Sequence, residues 1–175
     1  TERRFRQALA AGGIVHVASH AQLDPSNPLF SAVAFAPHSN ATDDDGRFEL
    51  HELLGLTVSS PLVFLSGCET GLGPAGSTSF ARGEDYATLA QAVLYAGARN
   101  VVATLWRVED DGAAAFAARF YEHLRYGDPV QALALAQRHL LHTRYSAPFY
   151  WAPYVIAGDG GSLTGAQTSH VASVR

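Results

Sequence analysis

The sequence predicts an α/β fold built on a mostly parallel sheet with helices on both faces. Two observations lead there. Apolar runs of strand length, at Ile14–Ala18, Leu62–Leu65 and Val101–Leu105, are separated by helix-length segments with apolar residues at 3–4 spacing. Turn-forming residues mark several of the connections, as at Gly12-Gly13, Pro25 and Pro28, and Ala41–Gly46. Strand, helix, strand, helix is the pattern of a sheet covered on both faces.

The elements follow in order. Residues Thr1–Ala11 read as a helix capped at Thr1 and stopped by Gly12-Gly13. Ile14–Ala18 is a strand that carries His16 and leads into His20. Gln22–Phe30, with Pro25 and Pro28, reads as a loop, and Ser31–Ala36 as a short strand. Ala41–Gly46 reads as a solvated acidic turn, Phe48–Leu56 as a short helix and Leu62–Leu65 as the strand leading to Cys68. Glu69–Gly83 is a long loop holding Gly71, Gly73, Gly76 and Gly83. It is either a mobile border of a cleft or a disordered connection. Asp85–Ala96 is a helix with Leu89, Val93, Leu94 and Ala96 on its apolar stripe, and Asn100–Leu105 is a third buried strand. Gly112–Arg125 and Pro129–Thr143 are helices, the second opened by Asp128 as N-cap and Pro129 at the first helical position. Pro153–Ala157 is the last strand. Residues 159–175 are small and polar and read as a disordered tail, which leaves one domain over residues 1–158.

Composition narrows the function. A net charge of −4 gives no reason to expect nucleic acid as a partner. The apolar runs are too short to span a bilayer, and no signal-peptide pattern opens the chain, so a cytoplasmic location without membrane contact is expected. A single cysteine excludes an internal disulfide. All 12 basic residues are arginine, which removes a P-loop, a Schiff-base enzyme and a lysine base together. The chain also opens on a helix, which reads as a piece of a longer polypeptide.

The chemistry-bearing residues stand at strand ends. In parallel sheets, sites form at the carboxyl ends of the strands. His20, Cys68 and the segment Trp106–Asp111 would therefore share one rim. A thiol and an imidazole brought together there can act as nucleophile and base. Alone, a single cysteine is as often a small buried hydrophobe. Asp43-Asp44-Asp45-Gly46 lacks the ligand spacing of a calcium loop. His16 and His20 have no second ligand cluster, so neither metal nor cofactor is expected. The other histidines (His38, His51, His123, His139, His142, His170) read as solvated, and Phe149, Tyr150 and Trp151 as core or lid packing.

Six ordered segments resemble the CHAT domain, a caspase-like cysteine peptidase module related to separase. They are His16-Val17-Ala18-Ser19-His20-Ala21, Asn27-Pro28-Leu29-Phe30-Ser31, Leu65-Ser66-Gly67-Cys68-Glu69-Thr70-Gly71, Gly83-Glu84, Leu94-Tyr95-Ala96-Gly97-Ala98-Arg99 followed by Val102-Ala103-Thr104-Leu105-Trp106, and Tyr150-Trp151-Ala152-Pro153-Tyr154. The resemblance implies a caspase-like three-layer sandwich, of which residues 1–158 are the C-terminal catalytic part. It implies His20 as the base, Cys68 as the nucleophile and a structural role for His16. It implies an oxyanion held by the backbone N–H groups of Ala21 and Cys68. Ala21 stands where the family has Gly, and it can serve only if φ need not be positive there. A Trp-x-Val-x-Asp element matches Trp106 to Asp110, which implies that Asp110 binds a basic substrate residue, with Glu69 and Trp106 beside it. Glu84 and Asp85 are weaker binding candidates, better read as caps.

The function expected is a thiol protease: a cysteine endopeptidase acting on a protein or peptide, with a cut after basic residues. The alternatives are an inactive CHAT-type interaction or regulatory module and, third, a cysteine-dependent hydrolase of non-peptide esters. The resemblance also implies bacterial defence or signalling. Caspase-like folds carry a further strand beside the base strand. An upstream segment or second chain is therefore expected to pair with Ile14–Ala18, where Val15 and Val17 would otherwise leave backbone groups unpaired.

Overall fold

The computed structural model describes residues 1–22, 24, 27–37, 44–66, 82–161, 163 and 172–174, without the side chains of 28, 82–88 and 172–174. Helix α1 spans Glu2–Ala10 and leads into β1, Val15–Ala18. Then come β2 (Ala21–Gln22), a 3-10 turn at Pro28–Phe30, β3 (Ala32–Ala34), β4 (Arg47–Glu49) and α2 (Leu50–Leu53). The chain continues with β5 (Val63–Ser66), α3 (Arg82–Tyr95), β6 (Asn100–Thr104), α4 (Asp110–Leu124) and α5 (Pro129–Leu140). Helix α6 (Pro148–Trp151) and strands β7 (Tyr154–Gly158) and β8 (Ala172–Val174) complete it.

The main sheet has the order β7-β6-β5-β1-β8. All its strands run parallel except β7, which is antiparallel to β6. Side-chain alternation divides the core into two halves. Val15, Val17, Val63, Leu65, Val101 and Ala103 pack with Phe5 and Leu9 of α1 and Val93 of α3. Phe64 and Val102 face the other way, toward Phe116 and Phe120 of α4 and Ala136 and Leu140 of α5. The result is a three-layer α/β/α sandwich. Among the described residues, no helix is long and apolar enough to cross a membrane.

The largest departure from the sequence-based expectation is a second, antiparallel sheet of order β2-β3-β4. The stretch expected as one helix from Phe48 to Leu56 starts as strand β4, and its helix is only Leu50–Leu53. Phe48 explains this. It alternates with the outward Arg47 and Glu49, is 1% exposed, and meets Phe5 edge-on at 5.0 Å. Glu49 and Glu52 then form a reciprocal capping box that starts α2.

Asp44 is likewise not a solvated turn residue. It is 1% exposed, and its Oδ1 accepts from the backbone N–H of Glu2 (3.0 Å) and of Arg3 (3.4 Å). It thus supplies the side-chain cap for α1 that Thr1 does not make.

The outer edge of β1 carries β8, from the region read as a tail. The N–H of Val15 donates to the Leu62 carbonyl at 3.0 Å and that of Ser19 to the Ser66 carbonyl at 3.2 Å. Backbone groups alternate sides along a strand. The odd-numbered amides of β1 therefore face β5. Those facing the outer edge belong to His16 and Ala18, not to Val15 and Val17.

Candidate active site

The rim is assembled by strand order. Strands β1, β5 and β6 lie side by side and parallel, so their carboxyl ends, at Ala18, Ser66 and Thr104, form one line. Trp106 follows β6 on one flank and His20 follows β1 on the other. Ser66 ends β5 between them. Cys68 and Glu69 lie outside the described residues, two and three positions along the chain from Ser66.

Ser19 fixes the exit of β1, a role that sequence reasoning missed. Its N–H donates to the Ser66 carbonyl at 3.2 Å, holding β1 to β5. Its hydroxyl donates to the Ala34 carbonyl, holding the same turn to β3. The Ala34 N–H in turn donates to the His20 carbonyl at 2.8 Å. One residue thereby passes the chain from the large sheet to the small one and leaves the His20 side chain exposed at the junction. The signal available was a hydroxyl residue directly before the second histidine of the motif.

Ala21 is buried at the start of β2. No non-glycine residue among the described ones has positive φ, so this alanine sits without backbone strain. The peptide linking His20 and Ala21 is trans, as are all the described ones, so its C=O and N–H point in opposite directions. The carbonyl is taken by Ala34 of β3. The Ala21 N–H therefore points away from the small sheet's ladder.

His16 is a different kind of histidine. Its ring packs against Phe64 at 4.7 Å and Tyr121 at 5.5 Å between centroids. Its Nε2 is buried with no hydrogen-bond partner among the described residues. Burial lowers its pKa from 6.5 to about 4, so the ring is neutral at physiological pH.

On the β6 flank, the Trp106 indole N–H donates to the Phe149 carbonyl at 3.0 Å, which ties the segment after β6 to α6. Helix α4 starts directly behind it, with Glu109 at the N-cap and Asp110 and Asp111 in the first turn. All three side chains are exposed. Carboxylates in that turn favour the helix dipole, and the N-cap Glu109 makes no side-chain capping bond to α4. The Tyr150 hydroxyl donates to Glu109 Oε2 at 3.2 Å, and that carboxylate raises the phenol pKa. Tyr150 can approach because residue 112 is glycine: a Cβ there would lie 2.6 Å from Tyr150 Cδ1. Tyr150 and Trp151 are half-buried, whereas Phe149 remains 44% exposed. Glu84 and Asp85 fall in the first turn of α3.

A family model described as the CHAT domain matches residues 1–159. No curated protein is similar enough to match the chain. The family match covers the whole α/β/α sandwich except β8, and the sandwich is of the caspase-like type found in relatives of cysteine peptidases. On a match of that extent, the chain belongs to the CHAT domain family.

Proposed function

We propose that this chain is a cysteine endopeptidase in which His20 and Cys68 act as a dyad. The observation that carries the reading is the junction at Ser19, which fixes the exposed His20 beside the end of the strand that leads to Cys68. His16 does not compete for the role, because its ring is enclosed by Phe64 and Tyr121 and is hard to protonate.

The chemistry follows in balanced steps. His20 takes the thiol proton of Cys68, and the thiolate adds to the peptide carbonyl. The N–H groups of Ala21 and Cys68 hold the oxyanion, the orientation of the Ala21 peptide being suited to this. The C–N bond breaks as His20 returns the proton to the leaving amine. Water, deprotonated by His20, then releases the acid and restores the thiol. The exposed carboxylates at the start of α4, with Asp110 foremost, supply a negative flank for a basic substrate residue, together with Trp106 and Glu69.

The test is covalent labelling by peptidyl electrophiles ending in a basic, an acidic or an apolar residue, read by intact mass. One adduct on Cys68, fastest with the basic probe and absent in Cys68→Ser, is the expected result. A folded wild-type protein that none of the probes labels would contradict the reading and leave an interaction module.

A further inference from the structure

Helix α1 is fastened at its two ends to different parts of the molecule. Near its C-terminal end, the Leu9 carbonyl accepts from the Ser59 N–H at 2.9 Å and from the Ser60 hydroxyl at 3.2 Å, in the segment leading to β5 of the main sheet. Its N-terminal half is tied instead to the small sheet. Asp44, three residues before β4, accepts from the Glu2 N–H. Arg6 is the hub. Its Nε and Nη2 donate to Glu2 Oε1 at 3.2 Å and 2.7 Å, and Nη2 also donates to Glu52 Oε1 in α2. The other oxygen of Glu52 accepts from the Glu49 N–H at 2.6 Å, where β4 ends. One carboxylate thereby joins α1 to the last residue of β4.

Apolar contacts follow the same line. Phe5 meets Phe48 of β4 edge-on and lies 5.1 Å from Phe35, the residue after β3. The Arg6 guanidinium lies over the Phe48 ring at 4.9 Å. The small sheet needs this support, because strands of two or three residues form too few ladder bonds to stand alone. Phe35 adjoins Ala34, whose N–H and C=O hold the backbone of His20 and the hydroxyl of Ser19. Contacts are thus continuous from Arg6 through Glu52, β4 and β3 to the His20 turn.

We propose that α1 is a latch on the turn that holds His20. When its N-terminal half lifts, the Arg6–Glu52 pair breaks and the small sheet opens with it, while the main sheet stays folded. Local openings of this kind need less free energy than global unfolding, and the strength of the latch sets how often they occur. The bearing on catalysis rests on the reading of His20 as the base, whereas the opening itself does not.

The test is native-state hydrogen exchange on the full chain, read by NMR as protection factors. The Glu2 amide, held by Asp44, reports the lifting of α1. The amides of Ala34, Phe35 and Leu50, held by the carbonyls of His20, Gly46 and Ser31, report the small sheet. Those of Val15 and Leu105, held by Leu62 and Pro153, report the main sheet. In wild type the first four should share one protection factor, below that of Val15 and Leu105. Glu52→Gln keeps the capping bond to Glu49 through its one carbonyl oxygen but removes the charged partner of Arg6, and the buried Glu2 stays paired. Exchange at all four should then speed by roughly tenfold, the effect of losing one charge-assisted hydrogen bond. Unchanged exchange at Ala34 and Phe35 in the variant would mean that the small sheet opens without α1, and overturns the proposal. Wild-type protection at Ala34 and Phe35 equal to that at Val15 and Leu105 overturns it too, because the small sheet would then open only on global unfolding. Should Glu52→Gln fail to fold, the double variant Glu2→Gln/Arg6→Gln, which removes the latch without leaving a buried carboxylate unpaired, is read by the same criteria. Hydrogen exchange needs no reaction at the rim, so failure of the peptidyl probes would reject the peptidase reading without deciding this one.

Discussion

Two histidines four residues apart sit in opposite surroundings. His20 is exposed at a strand junction, whereas His16 is enclosed by two aromatic rings. The folded state holds His16 neutral down to about pH 4, while the unfolded chain binds a proton near 6.5. Between those values the unfolded state carries more protons, so stability is complete above 6.5 and is lost as pH falls toward 4. Going from pH 7 to pH 5 should cost about 2 kcal/mol through this residue. In His16→Phe that increment should vanish, so urea melts at both pH values should show the variant losing less stability on acidification than wild type. An equal loss in both would mean that His16 is not protonated on unfolding in this window. The sequence showed the pair of histidines but not what surrounds them. The family resemblance implied different roles for them, and the contacts with Phe64 and Tyr121 account for the lowered pKa of His16. Asp110 was legible too, as a carboxylate behind Trp106, and its place in the first turn of α4 keeps it exposed. Asp110→Asn should reduce labelling by the basic probe several-fold while leaving the apolar probe within a factor of two. Equal losses would assign Asp110 to helix stability alone.

Legibility among the elements follows their length and burial. Strands β5 and β6 are buried along their whole length and stand out as apolar runs. Helix α5 announces its start through Asp128, whose side chain accepts from the Gln131 N–H, and Pro129. The small sheet had no such signal. Its strands are two or three residues long, less than two full alternations, and the Phe48 pattern is equally compatible with a helix. Helix α6, of four residues, is too short for a period, and Asp44 caps a helix more than forty residues away, which no local pattern records. The turn joining α3 to β6 depends on Gly97. Its φ is +120°, and a Cβ would lie 2.5 Å from the Val58 carbonyl oxygen. Val58 is held there by its N–H bond to the Ala96 carbonyl at 2.7 Å, so neither side of the contact can yield cheaply. Gly97→Ala should therefore destabilise the protein by about 2 kcal/mol or more, measured by denaturant melts. A loss below about 0.5 kcal/mol would show that this turn relaxes freely.

At the scale of the whole molecule, five strands bring residues from distant parts of the chain to one rim, and β8 covers the outer edge of β1, the strand that leads to His20. The residues of β8 lie beyond the family match, which ends at 159. Deleting residues 162–175 should speed hydrogen exchange at His16 and Ala18 while Val15 and Val17, which face β5, stay protected. Unchanged exchange at His16 and Ala18 would mean that β8 does not pair in solution. The central claim is that His20 activates Cys68. Its most direct test is the rate of Cys68 labelling by the basic peptidyl probe near pH 7, compared among wild type, His20→Ala and His16→Phe, each shown to be folded. The dyad predicts a fall of at least about a hundredfold in His20→Ala, in line with the loss of a positioned base, and a near wild-type rate in His16→Phe. Wild-type labelling in folded His20→Ala would contradict it.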